Sequence, residues 1–181
     1  MKSRDAAEGE ARPPRPVDLE ATADVEHGSP SGSAATDTAD AGHDADERGD
    51  SARLVLVCGA FHHPEVSRMI GHARSEAASC GIEIADIVWV PGAMEMPLAL
   101  QRSLGSDDVD CAACLGIIEA GETQHGLAMG QAVIAAVIDL QLETGKPIGL
   151  GIIGPGAEPH HVDSRLEEHA RAAVRAAQAM L

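Results

Sequence analysis

The chain has 181 residues, with 29 acidic and 13 basic side chains and a formal net charge of −16. This excess of acid argues against nucleic acid as the main partner, because phosphate binding requires a basic surface. No run of 18 apolar residues predicts a transmembrane helix, and the first 30 residues hold no apolar stretch of the signal-peptide type. Four cysteines in a chain of this length indicate reduced thiols, so we expect a cytoplasmic protein. The lack of a predicted transmembrane helix leads us to expect no membrane partner.

Composition divides the chain near residue 52. Residues 1–52 contain 13 acidic and 5 basic residues, and residues 21–50 have almost no large apolar side chain. Such a segment cannot bury enough surface to offset the entropy lost on ordering. We therefore predict a disordered acidic tail over 1–52 and one compact domain over 53–181. The scarcity of lysine fits either a salt-loving host or a GC-rich genome.

Apolar runs and helical patterns alternate over residues 53–181. Apolar runs predict buried strands at Arg53–Cys58 and Cys111–Ile118. Two further strands are predicted at Ile82–Val90, which alternates at its start, and at Ile148–Ile153. Helices are predicted at Pro64–Cys80, Glu95–Leu104, Glu122–Thr144 and from about Glu158 to the terminus. Strands separated by helices of this length form parallel βαβ units. The predicted fold class is α/β, a four-stranded parallel sheet with helices on both faces, in a flavodoxin-like three-layer sandwich.

Three motifs match the chain without the context that each requires. Gly149–Gly154 matches GxGxxG, but it lies inside a predicted strand rather than between a strand and a helix. Cys111 and Cys114 match CxxC, but on a strand they point to opposite faces and are predicted to be core residues. Glu122 and His125 have the spacing of half a carboxylate-bridged metal site, which needs a second such pair. We therefore predict no nucleotide, disulfide or metal site from these motifs.

Ligands of parallel α/β sheets bind at the carboxyl ends of the strands. The candidate site therefore comprises the turns at 59–64, 91–97, 119–125 and 154–159. In the first turn, Phe61 is either a core plug or a surface that stacks on a flat ring. In the second turn, Glu95 either favours the start of the helix or accepts hydrogen bonds from ligand hydroxyls.

The third and fourth turns carry groups suited to an anion and to proton transfer. The backbone N–H groups and the Thr hydroxyl of Gly121–Thr123, at a predicted helix start, form an anion site. His125 suits proton transfer, because histidine changes charge near neutral pH. Arg165 follows a tight turn predicted at Gly154–Gly156, and it either pairs with a nearby acid or binds phosphate in bidentate fashion.

Several segments, in this order and at this spacing, are similar to those of the 6,7-dimethyl-8-ribityllumazine synthase family. They are Phe61, PGAMEMP at 91–97, GETQH at 121–125, LETGKPIGLGI at 142–152 and GPG at 154–156. The resemblance covers residues 53–181 and excludes the tail. Its most specific part is the pair formed by PGAMEMP and GETQH. The GPG segment resembles the archaeal branch of the family.

This resemblance implies a transferase of riboflavin biosynthesis. The enzyme would condense 5-amino-6-(D-ribitylamino)uracil with 3,4-dihydroxy-2-butanone 4-phosphate, without an organic cofactor or a metal. His125 is implied as the catalytic residue. The residues implied to bind the two substrates are Phe61, Ala93, Met94, Glu95, Gly121, Glu122, Thr123 and Arg165. The resemblance also implies a homo-oligomer of pentamers, often packed into an icosahedral shell, with each site between neighbouring subunits.

Four positions depart from the family pattern. His62 stands where Asn is common, and Ala120 stands where Arg or Lys is common. Glu168 and His169 stand where a further basic residue often follows the phosphate-binding Arg. The two missing cations are expected to weaken phosphate binding by about 1 kcal/mol or more each. The alternative function is therefore a divergent paralogue that forms a shell or binds a ligand, with little synthase activity.

Overall fold

The structure, a computed structural model, describes residues 51–181. The predicted acidic tail lies outside the described residues, so its disorder and its boundary at residue 52 stay predictions. The strands are β1 (Arg53–Gly59), β2 (Glu83–Val90), β3 (Cys111–Glu119) and β4 (Ile148–Ala157). The helices are α1 (His63–Cys80), α2 (Met96–Leu104), α3 (His125–Thr144), α4 (Pro159–Val162) and α5 (Leu166–Gln178). Single 3₁₀ turns precede α2 and α5, at Ala93–Glu95 and Asp163–Arg165.

The four strands form one parallel sheet in the order β2-β1-β3-β4. Successive residues of β1 face opposite sides of this sheet. Leu54 and Leu56 belong to a core that α1 and α5 cover, and Val55 and Val57 belong to a second core that α2 and α3 cover. Because both faces are covered, the two central strands β1 and β3 are apolar along nearly their whole length, whereas the edge strand β2 carries Glu83 and Asp86. The predicted α/β fold with three layers is confirmed.

The cysteines of the CxxC motif are separated by the sheet, as predicted. Cys111 lies in the core beneath α1 and α5, whereas Cys114 lies in the core beneath α2 and α3. Burial raises the pKa of Cys58 and of Cys111 to about 12, and that of Cys114 to about 11. These three thiols therefore stay protonated at neutral pH and act as small apolar core residues.

β4 is longer than predicted, and the GPG segment lies within it. Ile153 pairs with Ile117 and Ala157 pairs with Glu119, so residues 154–156 face a single residue of β3. The chain accommodates this bulge with positive φ angles at both glycines, 107° at Gly154 and 86° at Gly156. The predicted strand-to-helix turn at 154–159 is therefore wrong: most of it is a bulge inside the strand.

Two helices also begin or continue differently from the prediction. α3 begins at His125 rather than Glu122, because the residues before it form a turn in which Thr123 Oγ1 accepts a hydrogen bond from the His125 N–H at 3.4 Å. The last predicted helix is two helices, α4 and α5, joined by the 3₁₀ turn at Asp163–Arg165. Short 3₁₀ turns are common connectors, and no glycine or proline marks this one in the sequence.

α3 has an apolar surface on the side away from the sheet. On length and composition alone this helix is able to cross a membrane, although it contains no run of 18 apolar residues. One face packs into the second core through Val133, Val137 and Leu140. The outer face exposes three large apolar side chains, Leu127 (46%), Ile138 (48%) and Leu142 (80%). α3 is therefore a helix of the α/β domain whose outer face lacks a partner within residues 51–181.

Candidate functional site

A cavity of about 540 Å³ opens at the carboxyl ends of β1, β2 and β3. The first three predicted turns all contribute to its walls. It is lined by Phe61, Pro91–Glu95, Ile117–Glu119, Gly121, Thr123, His125, Gly126 and Met129. Seven of the predicted site residues therefore meet in one place: Phe61, Ala93, Met94, Glu95, Gly121, Thr123 and His125.

Backbone hydrogen bonds hold the first two turns side by side. The Ala60 N–H donates to the Val90 carbonyl at 2.7 Å, and the Phe61 N–H donates to the Pro91 carbonyl at 3.2 Å. These bonds extend the β1–β2 pairing beyond the last paired strand residues. The Phe61 side chain is 56% exposed and lines the cavity, so the core-plug interpretation is wrong. Its stacking on a ligand ring stays a prediction.

The second turn presents a carboxylate to the cavity. Ala93–Glu95 form a 3₁₀ turn in which Ala93 is buried and Met94 is 70% exposed. Glu95 is the residue that precedes α2, but its side chain makes no capping hydrogen bond to that helix. A carboxylate at this place can still favour the start of the helix through the helix dipole, so both interpretations of Glu95 stay predictions. Its carboxylate is available to accept hydrogen bonds from a ligand.

The third turn places an imidazole at the mouth of the cavity. His125 is exposed, and it is the first residue of α3. The next residue, Gly126, packs so closely on the end of β3 that a Cβ there would lie 2.9 Å from the Glu119 carbonyl oxygen. This close contact fixes the position of His125 relative to the strand. Glu122 is exposed and does not line the cavity, unlike its neighbours Gly121 and Thr123.

The ionisable groups of the cavity are two carboxylates and one imidazole, from Glu95, Glu119 and His125. No Lys or Arg lines the cavity within residues 51–181. Ala120, at the position where the family commonly has a cation, adds none. The cavity of one chain therefore suits a flat polar ring with hydroxyl groups better than a phosphate dianion, which needs positive charge nearby.

Arg165 lies in a second cavity, of about 190 Å³, next to the β4 bulge. The walls of this cavity also include the GPG segment, His161 and His169. Arg165 Nη1 donates a hydrogen bond to the His161 carbonyl at 3.0 Å, and within residues 51–181 it forms no ion pair with an acid. The structure of a single chain therefore does not bring Arg165 together with His125.

Sequence reasoning missed two features of this edge of the sheet. Glu119 ends an otherwise apolar strand and lines the larger cavity. A charged residue at the ligand end of a buried strand is the signal that identifies it. In addition, Glu158, His160 and His161 bring possible metal-ligand atoms within 4.8 Å of one another. These side chains are largely exposed, and the predicted absence of a metal stays a prediction.

Comparison with known proteins agrees with the motifs. The family model described as 6,7-dimethyl-8-ribityllumazine synthase matches residues 51–181. A protein of that name from Metallosphaera sedula is 38% identical over 130 residues, covering 72% of this chain and 86% of its own length. Another, from Staphylothermus marinus, is 37% identical over 130 residues, with 72% and 87% covered. A third, from Pyrobaculum neutrophilum, is 38% identical over 125 residues, with 69% and 83% covered. The chain belongs to the 6,7-dimethyl-8-ribityllumazine synthase family.

Proposed function

We propose that this chain acts in riboflavin biosynthesis as a transferase that forms 6,7-dimethyl-8-ribityllumazine. Its substrates are 5-amino-6-(D-ribitylamino)uracil and 3,4-dihydroxy-2-butanone 4-phosphate, and it releases phosphate and water. The observation that carries this proposal is the convergence of Phe61, Glu95, Thr123 and His125 on one cavity at the carboxyl edge of the sheet. Family membership supplies the identity of the two substrates.

The cavity walls suit the aminouracil substrate. The exposed ring of Phe61 offers a face on which a flat pyrimidine can stack. The Glu95 carboxylate makes no capping hydrogen bond to α2, so it is able to accept hydrogen bonds from the ribityl hydroxyls. The 5-amino group of the bound pyrimidine would then attack the ketone of the second substrate, with loss of water, to form an imine. Holding the two reactants together in this way supplies a large part of the rate.

His125 is the group placed to move protons in these steps. The amine must lose a proton, the departing hydroxyl must gain one, and ring closure requires another such exchange. His125 lines the cavity and is exposed at its mouth, so it can pass protons between the reacting atoms and solvent. In this scheme C3 of the imine loses a proton, and the electron pair of the resulting enamine expels phosphate from C4 without a metal. The enol that this leaves becomes the carbonyl group that ring closure consumes, with loss of a second water.

The phosphate group requires a cation, and no Lys or Arg of residues 51–181 in the same chain lines the cavity. We infer that Arg165 of a neighbouring copy of this chain supplies it. Arg165 makes no ion pair within the described residues, and its cavity lies beside the GPG bulge at the same edge of the sheet. Backbone N–H groups around Gly121 and Thr123 would contribute from the first chain. Glu122 would act only through its backbone.

Self-association is part of this proposal. α3 leaves an apolar outer face, with Leu127, Ile138 and Leu142 exposed, and contact with a second copy would remove it from water. A pentamer, or a shell of pentamers, satisfies the requirement for a contact between unlike surfaces of adjacent copies. Light scattering should show an oligomer, and an active monomer would contradict this part. The free thiols fit the proposed cytoplasmic location.

The activity is tested by mixing the purified full-length chain with both substrates and following lumazine absorbance together with released phosphate. Lumazine and phosphate should appear in equal amounts, faster than in a blank without protein. A rate equal to the blank would reject the synthase and favour the alternative of a shell-forming or ligand-binding paralogue. Two observations favour this alternative. No Lys or Arg of residues 51–181 lines the cavity, and Ala120 stands where the family commonly has a cation.

A further inference from the structure

His62 and Glu119 form a close pair beside the larger cavity. His62 Nε2 lies 2.5 Å from Glu119 Oε1, although the two residues are far apart in sequence. Both side chains are mostly buried, 24% and 33% exposed. Glu119 lines the cavity, whereas His62 lies behind it. The pair therefore joins the first turn, after β1, to the end of β3.

The His62 ring is also fixed from its other sides. It packs edge-on against the Phe61 ring, with ring centroids 4.6 Å apart and an interplanar angle of 77°. Its Nδ1 lies 3.9 Å from Glu65 Oε2. Nε2 is buried and has no well-aligned hydrogen bond within residues 51–181. Its electrostatic contact with the Glu119 carboxylate therefore offsets the free-energy cost of burying this nitrogen. His62 thus touches two side chains that line the cavity.

The backbone at His62 has a left-handed conformation. Its φ is 60°, which makes it the one non-glycine residue with positive φ in residues 51–181. Histidine, like asparagine and aspartate, adopts this conformation more often than most non-glycine residues. His62 directly precedes α1, so this conformation lies in the turn between β1 and α1.

We propose that Glu119 is a substrate-binding carboxylate and that His62 is its positioning residue. Glu119 accepts hydrogen bonds from N–H groups on the edge of the pyrimidine that Phe61 covers. This inference rests on the proposed function, because the aminouracil is its ligand. One carboxylate oxygen contacts His62, which leaves the other oxygen for the ligand. A charged acceptor makes a stronger and more selective hydrogen bond to N–H than a neutral one.

The proposal predicts an effect on one substrate only. A carboxylate repels the phosphate of the second substrate, so we expect Glu119 to contribute no net attraction for that molecule. Loss of its charge should therefore weaken binding of the aminouracil and leave the KM for the phosphate substrate unchanged or lower. A residue needed merely for folding would not separate the two substrates in this way.

The test is calorimetric binding of the aminouracil alone to the full-length oligomer. Glu119→Gln should raise its Kd about tenfold, as expected when a charged hydrogen bond is replaced by a neutral one. His62→Gln should raise the Kd by a smaller factor, and the double variant should match Glu119→Gln, because His62 acts through Glu119. The matched control is His63→Gln: this exposed neighbour stacks on Trp89, 4.4 Å away, and does not line the cavity. Its Kd should equal that of the unaltered chain.

The outcomes separate this inference from the proposed function. If the unaltered chain binds the aminouracil but forms no lumazine, the synthase activity is rejected and the binding inference is judged on its own Kd values. If lumazine forms while Glu119→Gln binds the aminouracil as tightly as the unaltered chain, the inference is overturned. If His62→Gln lowers only the melting temperature, His62 is structural and its positioning role is wrong. Failure of the unaltered chain to bind the aminouracil overturns both proposals.

Discussion

Gly149 of β4 lies directly against Ala173 of α5, so closely that a Cβ at residue 149 would come within 1.8 Å of the Ala173 carbonyl oxygen. That atom belongs to the helix backbone and cannot move aside without shifting α5. Gly151, two residues further along the strand, is similarly enclosed. A Cβ added there would lie 2.9 Å from the Cys114 carbonyl oxygen. Gly149 and Gly151 of the GxGxxG match therefore allow α5 to pack closely on β4.

Gly149→Ala should destabilise the fold by about 3 kcal/mol, because overpacking against a backbone atom forces α5 away from the sheet. Gly71→Ala is the matched control. It lies in α1 with nothing within 4 Å of the added Cβ, so it should gain about 0.5–1 kcal/mol from helix propensity. Urea unfolding of both variants measures the difference. Equal stability of the two would show that the contact with Ala173 relaxes at no cost.

His125→Asn should lower kcat about 100-fold while the fold and oligomer survive, because the variant keeps a polar side chain but loses proton transfer. The control is His160→Asn, an exposed histidine outside the larger cavity, which should retain the activity of the unaltered chain. Steady-state lumazine formation gives both values. A near-normal kcat for His125→Asn would remove this residue from the mechanism.

Sharing of the site between subunits is testable by complementation. Arg165→Ala and His125→Asn should each have little activity alone, since each variant removes one required side chain from every site. Co-expressed in equal amounts, they should regain roughly a quarter of the normal activity, because half of the cavities keep His125 and half of their neighbours supply Arg165. Mixed oligomers with no gain over the separate variants would place both residues in the same chain's site.

Glu76 of α1 connects to α5 through two arginines, at 2.8 Å from Arg171 Nη1 and 3.0 Å from Arg175 Nη1. Hydrogen bonds from Arg171 and then Arg175 hold the pKa of Glu76 below its usual value of 4.5. Because the folded-state pKa lies below that of the unfolded chain, the stabilisation is present at neutral pH and is lost as the pH falls through the folded-state value. Glu76→Gln should therefore lower the melting temperature at pH 7, and this loss should shrink towards pH 3. Glu83→Gln, at an exposed carboxylate on β2, should show no such trend.

Deleting residues 1–50 should leave turnover per site unchanged within about twofold, since an acidic segment almost without apolar side chains has no means to pack on the site. Turnover and particle size of the truncated chain are measured together, because removing net negative charge from every subunit can shift assembly at low salt. Loss of activity on deletion, or amides in this segment that resist hydrogen exchange, would contradict the predicted disorder of the tail and the predicted domain boundary at residue 52.

The two central strands could be predicted from continuous apolar runs such as Leu54–Cys58, and the edge strand β2 from the alternation at its start. The prediction of a turn at 154–156 was wrong, because Gly-Pro-Gly is typical of a turn but here forms a bulge within β4. The start of α3 was misplaced because the turn at Thr123 competes with the helix through one hydrogen bond. In the proposed oligomer, the position of Arg165 relative to the larger cavity of a neighbouring copy depends on how the copies pair, and no local sequence pattern encodes that pairing.

The burial of three thiols makes the folded chain selective toward chemical labels. Maleimides and similar reagents react with the thiolate, and the high pKa values of Cys58, Cys111 and Cys114 leave almost none of it at neutral pH. Cys80, the last residue of α1, is the one cysteine that is partly exposed. A single fluorophore can therefore be attached to each chain without engineering, at a position outside both cavities, and energy transfer between dyes on two chains then tests the proposed self-association.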